Sequence, residues 1–143
     1  MKYFLMFVAL VCVGGGIVYV TQKNELPKAV VNPGPMQYKD LVYIETPFSG
    51  MKVSSPLVVS GRARGNWYFE ASFPVKLLDG NGNELVVTPA QAQGDWMTTN
   101  YVPFSVTLTF PTPVTATGTL ILQKDNPSGE PQFDDFVSIP VTF

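Results

Sequence analysis

Residues Asn66–Leu85 read NWYFEASFPVKLLDGNGNEL, and the first half of the stretch alternates. Trp67, Phe69, Ala71, Phe73, Val75 and Leu77 fall on one face of an extended chain; Tyr68, Glu70, Ser72, Pro74 and Lys76 fall on the other. Successive side chains of a strand point to opposite faces, so this is the pattern of a half-buried β-strand with an aromatic inner face. Asp79-Gly80-Asn81-Gly82-Asn83 then supplies residues that tolerate positive φ, and Leu85 restarts an apolar run. The stretch reads as a hairpin that the rest of the chain must cover.

The same period of two recurs from Leu41 to the C-terminus. Val42 and Ile44 alternate with Tyr43 and Glu45, and Leu57, Val59, Gly61 and Ala63 with Val58, Ser60, Arg62 and Arg64. Phe104, Val106, Leu108 and Phe110 alternate with Ser105, Thr107 and Thr109. Gly118, Leu120 and Leu122 come next, and Val137, Ile139, Val141 and Phe143 make a last strand. No segment of 41–143 shows helical spacing. Short alternating strands punctuated by Gly and Pro predict an all-β fold, an antiparallel immunoglobulin-like β-sandwich of seven or eight strands. A small barrel is the runner-up. The term refers to architecture, because the antibody-type cysteine pair is absent.

The N-terminus is of another kind. Tyr3 to Val20 are 18 residues without a charge, between Lys2 and Lys23. Three readings fit. Residues 1–22 as a retained signal anchor, a transmembrane helix, is preferred, because Ile17–Val20 keep the run apolar beyond the glycines. A cleaved signal peptide would use Val13 and Gly15 before a cut at Gly16. A lipoprotein would be modified at Cys12, although Val11 stands where a small residue is expected. Each of the three exports the remainder of the chain. Residues 23–40, with Pro27, Pro33, Gly34 and Pro35, read as a linker to the domain at 41–143.

Composition narrows the chemistry. Residues 41–143 carry five basic and nine acidic side chains, so the domain is acidic and has no stripe for nucleic-acid phosphates. There is no histidine, which removes the commonest general base and most zinc sites. The single cysteine, Cys12, lies outside the domain, which therefore has no disulfide. Asp79–Asn83 starts like a calcium loop, but Glu84 stands where Gly is needed and Ala90 where a bidentate Glu is needed, so it reads as a turn. Asn126-Pro127-Ser128 fails as a glycosylation site because of its proline. No metal, cofactor or catalytic group is expected.

The candidate binding residues are Tyr68, Glu70, Trp96, Met97, Asn126 and Ser128. Trp96 and Met97 follow Gly94-Asp95 at a strand end, where aromatic and Met side chains favour interfaces. Asp125–Gly129 is a turn that can carry binding, as loops at sandwich ends do. The alternation puts Tyr68 and Glu70 on the polar face of the central strand. Glu70 could act as an acid, but no second carboxylate sits at a readable spacing, so an enzyme is not expected.

Four ordered segments resemble a known family. They are SPLVVSGRARGNWYFEASFPVKLLDGNGNEL (Ser55–Leu85), GDWMTTNYVPF (Gly94–Phe104), DNPSG (Asp125–Gly129) and IPVTF (Ile139–Phe143). Together they look like the immunoglobulin-like domain of bacterial spore germination, over roughly Val42 to Phe143. The resemblance implies an exported β-sandwich of the bacterial envelope in a membrane-tethered protein, without established catalytic residues. The expected function is a non-catalytic, membrane-anchored envelope module that binds a protein partner. The alternative is a peptidoglycan or other cell-wall glycan binder using exposed aromatics such as Trp96 or Tyr68.

Overall fold

The structure is a computed structural model and describes residues 34–143 together with β1 (Cys12–Val13) and β2 (Gly16–Ile17), which pair antiparallel. These two segments fall inside the expected transmembrane helix and are extended instead. Three successive glycines, Gly14 to Gly16, weaken a helix there by roughly 1 kcal/mol each relative to alanine. The rest of 1–22 and residues 23–33 of the expected linker lie outside the described residues. Among the described residues no helix is long and apolar enough to cross a membrane.

Residues 34–143 form an eight-stranded, wholly antiparallel sheet. In chain order the strands are β3 (Met36–Tyr38), β4 (Val42–Thr46), β5 (Leu57–Arg64), β6 (Ser72–Asp79), β7 (Glu84–Ala92), β8 (Tyr101–Leu108), β9 (Thr117–Gln123) and β10 (Phe136–Thr142). Their order across the sheet is β10-β9-β6-β7-β8-β5-β4-β3. Strands β10-β9-β6-β7 make one layer and β8-β5-β4-β3 the other. On one side the layers join through a short β7–β8 ladder, Gln91↔Ser105 and Ala92↔Phe104, extended by a Gln93 N to Pro103 O bond of 2.8 Å. Pro89 explains why pairing stops there. It faces Pro74 across the β6–β7 ladder, and two residues without N–H cannot form a hydrogen-bonded pair. The polar groups of residue 89 therefore point toward β8, where proline has no donor to offer.

On the far side, the chain leaving β4 crosses to β10. Gly50 N donates to Pro140 O at 2.8 Å, Val53 N to Thr142 O at 2.8 Å, and Thr142 N to Met51 O at 3.0 Å. The fold is thus nearly barrel-shaped and consistent with an immunoglobulin-like sandwich, so both architectural readings describe part of it.

The inner faces are those the alternation named. Phe73, Val75 and Leu77 of β6 are fully buried, and Val59, Ala63, Phe104 and Leu108 meet them from the other layer with at most 1% exposure. The Phe73 ring packs edge-on against Tyr68 at 5.1 Å and Phe104 at 5.0 Å between centroids. Such pairs add to area burial, because the positive edge of one ring meets the negative face of the other.

Two corrections concern the strands themselves. The central strand starts at Ser72, not near Asn66. Gly65–Trp67 form a single 3-10 turn, and Trp67 and Tyr68 are both buried, which alternation forbids. Phe69 and Ser72 then exchange two backbone hydrogen bonds of 3.0 Å across Glu70 and Ala71, whose φ values are +47° and +63°. That is a type I′ turn made without its usual Asn or Gly, so no residue type signals it. The second correction is β3, which lies within the expected linker 23–40. Three residues are too few to show a period.

The Asp79–Asn83 hairpin formed as expected. Asp79 is buried and accepts from Asn81 N at 2.9 Å, Asn83 N at 2.8 Å and Asn83 Nδ2 at 3.0 Å. The Asn83 side chain is the main influence holding the Asp79 carboxyl below its ordinary 3.8; burial opposes it, and backbone donors assist.

The packing of β6 makes its register testable. Phe73→Ala removes a fully buried ring and is expected to cost about 3–5 kcal/mol in urea unfolding, whereas Ser72→Ala, on the other face, is expected to stay within about 0.5 kcal/mol. For Asp79, a lowered folded pKa means stability that is present above the unfolded value and lost as pH falls through the folded one. The stability difference between wild type and Asp79→Asn is therefore expected to be constant near neutrality and to shrink below about pH 4. Thermal melts across that range measure it.

Candidate functional site

Antiparallel pairing sorts the connections into two ends. The chain enters β3 at one end, which also carries the β4–β5, β6–β7 and β8–β9 connections. The opposite, distal end carries β3–β4 (residues 39–41), β5–β6 (65–71), β7–β8 (93–100) and β9–β10 (124–135). All six candidate residues from the sequence lie on this distal end.

Their roles there differ. Tyr68 is buried, and its hydroxyl donates to Val102 O at 2.8 Å. Burial pushes its phenol pKa up, so it stays a neutral donor. Glu70 is exposed on the strained turn. Trp96 is half-buried against the core, while Met97 is 78% exposed. Asn126 Nδ2 donates to Glu130 O at 2.9 Å and to Asp134 Oδ1 at 2.8 Å, and Ser128 Oγ donates to Asn126 Oδ1 at 2.6 Å. These last two side chains brace their own loop.

The four connections are also tied to one another. Arg64 Nη2 donates to Asp40 Oδ2 at 2.9 Å and Arg64 Nη1 to Thr99 O at 3.3 Å; Tyr101 Oη donates to Asp40 Oδ1 at 2.7 Å. Arg64 also lies 3.9 Å over the Tyr101 ring. The Tyr101 hydroxyl first, then Arg64, hold the Asp40 carboxyl below its ordinary range. Tyr38 Oη donates to Asp135 Oδ1 at 3.0 Å, and Asp125 N to Trp67 O at 3.1 Å. Nothing in the sequence links Asp40 to Arg64 or Tyr38 to Asp135, because residues so far apart meet only through the fold.

This bracing holds an unfavourable backbone. Lys39 and Asp40, at φ +46° and +55°, join Glu70 and Ala71 in the left-handed region, where a non-glycine residue costs on the order of 1–3 kcal/mol. Trp67 Nε1 is buried without an acceptor among the described residues. Gly65 allows the β5–β6 and β7–β8 connections to touch, since a Cβ there would collide with the Thr98 and Trp96 carbonyl oxygens. All four of these left-handed non-glycine residues among the described residues lie on the distal end.

The distal end also exposes apolar side chains. Phe69, Met97, Phe133 and Phe136 are exposed by 39%, 78%, 52% and 55%. Among the described residues no group of three His, Cys, Asp or Glu side chains could hold a metal ion.

The fold defines an immunoglobulin-like β module. The family described as the immunoglobulin-like domain of bacterial spore germination matches residues 41–130, from just before β4 into the β9–β10 connection. The chain belongs to that family. No curated protein and no solved structure matches it.

Gly65→Ala is expected to cost about 2–3 kcal/mol and to shift the backbone amide signals of residues 96–100. Gly94→Ala is the control, because its added Cβ would meet nothing nearer than Val102 Cγ1 at 3.9 Å. Urea unfolding with two-dimensional NMR of both variants compares them.

Proposed function

We propose that this member of the family is an exported, non-catalytic envelope module, held at the membrane by its N-terminus, that binds a protein partner through its distal end. The carrying observation is the set of exposed side chains Phe69, Met97 and Phe133 on cross-braced connections, with Phe136 at the distal start of β10. Exposed apolar groups on a rigid frame lose little conformational freedom on binding, which is what makes good interface anchors. Anchoring rests on the uncharged run Tyr3–Val20 between lysines. A glycan partner is the weaker reading, because Tyr68 is buried and Trp96 is half-buried against the core, so the rings expected to stack on a sugar are largely committed to packing.

The test places a photo-crosslinking amino acid at Met97 or Phe133 of the full chain in intact cells, with Val58 on the outer face of β5 as the control. The expected result is a discrete protein adduct from the first two positions and none from Val58, with the domain removed by protease added to spheroplasts. Equal labelling at all three positions counts against a distal interface, and a protected domain counts against export.

A further inference from the structure

The charge of the domain is not spread over its surface. The four distal connections hold Asp40, Glu70 and Asp95, and then Asp125, Glu130, Asp134 and Asp135 in the β9–β10 connection alone. Against these seven carboxylates stand Lys39, Lys124 and the adjoining Arg64, a balance of −4. The remainder of residues 34–143 balances, with Glu45, Asp79 and Glu84 against Lys52, Arg62 and Lys76. The whole net charge of the domain therefore sits on the end that carries Phe69, Met97, Phe133 and Phe136. Among the described residues, only Asp40 and Asp135 of the seven have a cation within 4 Å, namely Arg64 at 2.9 Å and Lys39 at 3.4 Å. The other five, Glu70, Asp95, Asp125, Glu130 and Asp134, have no such cation and lie on the same connections as Phe69, Met97 and Phe133.

We infer that the distal end docks a basic protein surface, one that places apolar side chains against the exposed Phe69, Met97 or Phe133 and Lys or Arg side chains against the carboxylates of the same connections. This rests on the protein-binding reading and adds the chemistry of the partner. Complementary charge steers encounter and rejects wrong partners, while the exposed apolar side chains supply the holding contact. The same field disfavours other occupants. A second copy docking by the same end would bring −4 against −4. Anionic lipid headgroups, nucleic acid and acidic wall polymers would be repelled in the same way.

The experiment uses the full chain carrying the photo-crosslinker at Met97, in intact cells, with the adduct sequenced by mass spectrometry. The test variant is Glu70→Lys with Asp125→Lys, since among the described residues neither carboxylate makes a hydrogen bond or ion pair that its loss would break; Glu70→Gln with Asp125→Asn is its neutral counterpart. An unchanged melting curve for each shows that folding is intact. The expected result is a crosslinked segment with more Lys and Arg than Asp and Glu, and an adduct yield that falls about tenfold with charge reversal and less with neutralisation. A neutral or acidic segment, an adduct with lipid or with a second copy of the chain, or a yield indifferent to the reversal overturns the inference; an indifferent yield, or a neutral or acidic segment, leaves the protein-binding reading standing. No adduct at Met97 or at Phe133 overturns both.

Discussion

The edge-to-face contact of Phe73 and Phe104, 5.0 Å between ring centroids, joins the two layers of the sandwich, and the other features of the domain depend on it. Phe73 comes from β6 and Phe104 from β8, strands that are not neighbours in the sheet. Phe104 also sits in the short β7–β8 ladder that connects the layers, opposite Ala92. Tyr68 completes the group by packing on Phe73 while its hydroxyl reaches Val102 O. Because Tyr68 belongs to the β5–β6 connection, the core reaches into the distal loops and fixes where they begin.

That reach explains how the distal end tolerates its backbone. Two turns use positive φ at Lys39-Asp40 and Glu70-Ala71 without a glycine. A hairpin alone could not hold such turns, since each residue costs on the order of 1–3 kcal/mol. Here the Asp40–Arg64–Tyr101 and Tyr38–Asp135 contacts over-determine the first, and the Phe69–Ser72 bonds with Ala92 N on Ala71 O fix the second. The result is a cross-linked end that keeps aromatic and Met side chains in water and carries seven carboxylates on the same connections. Stability alone would favour neither.

Membership of the spore-germination immunoglobulin-like family fits this division of labour. The matched region, 41–130, supplies β4 to β9 and most of the distal connections, whereas β3 and β10 flank it. Strand β3 brings Tyr38, and with it the bridge to Asp135, so part of the distal bracing comes from residues outside the matched region. A strand of three residues at the sheet edge also covers the backbone of β4, which would otherwise offer an open ladder to other chains.

The alternation of apolar residues is enough to assign the inner faces of β5, β6, β8, β9 and β10, because a strand has a strict period of two and one face must leave water. The Asp79–Asn83 hairpin is equally legible, since its residues are those that tolerate the turn's φ values. The candidate residues do lie in the connections, as their neighbours in the sequence suggest. What they do there is not legible. Tyr68 is drawn into the core, and Asn126 and Ser128 turn inward to brace their loop, because side-chain partners such as Val102 O and Glu130 O are fixed only in three dimensions. The turn at Glu70-Ala71 is hidden in the sequence because neither residue favours positive φ and tertiary contacts impose it. Only the tertiary structure gathered seven carboxylates and four exposed apolar side chains at one end, since strand direction, which the sequence does not display, decides which connections are neighbours.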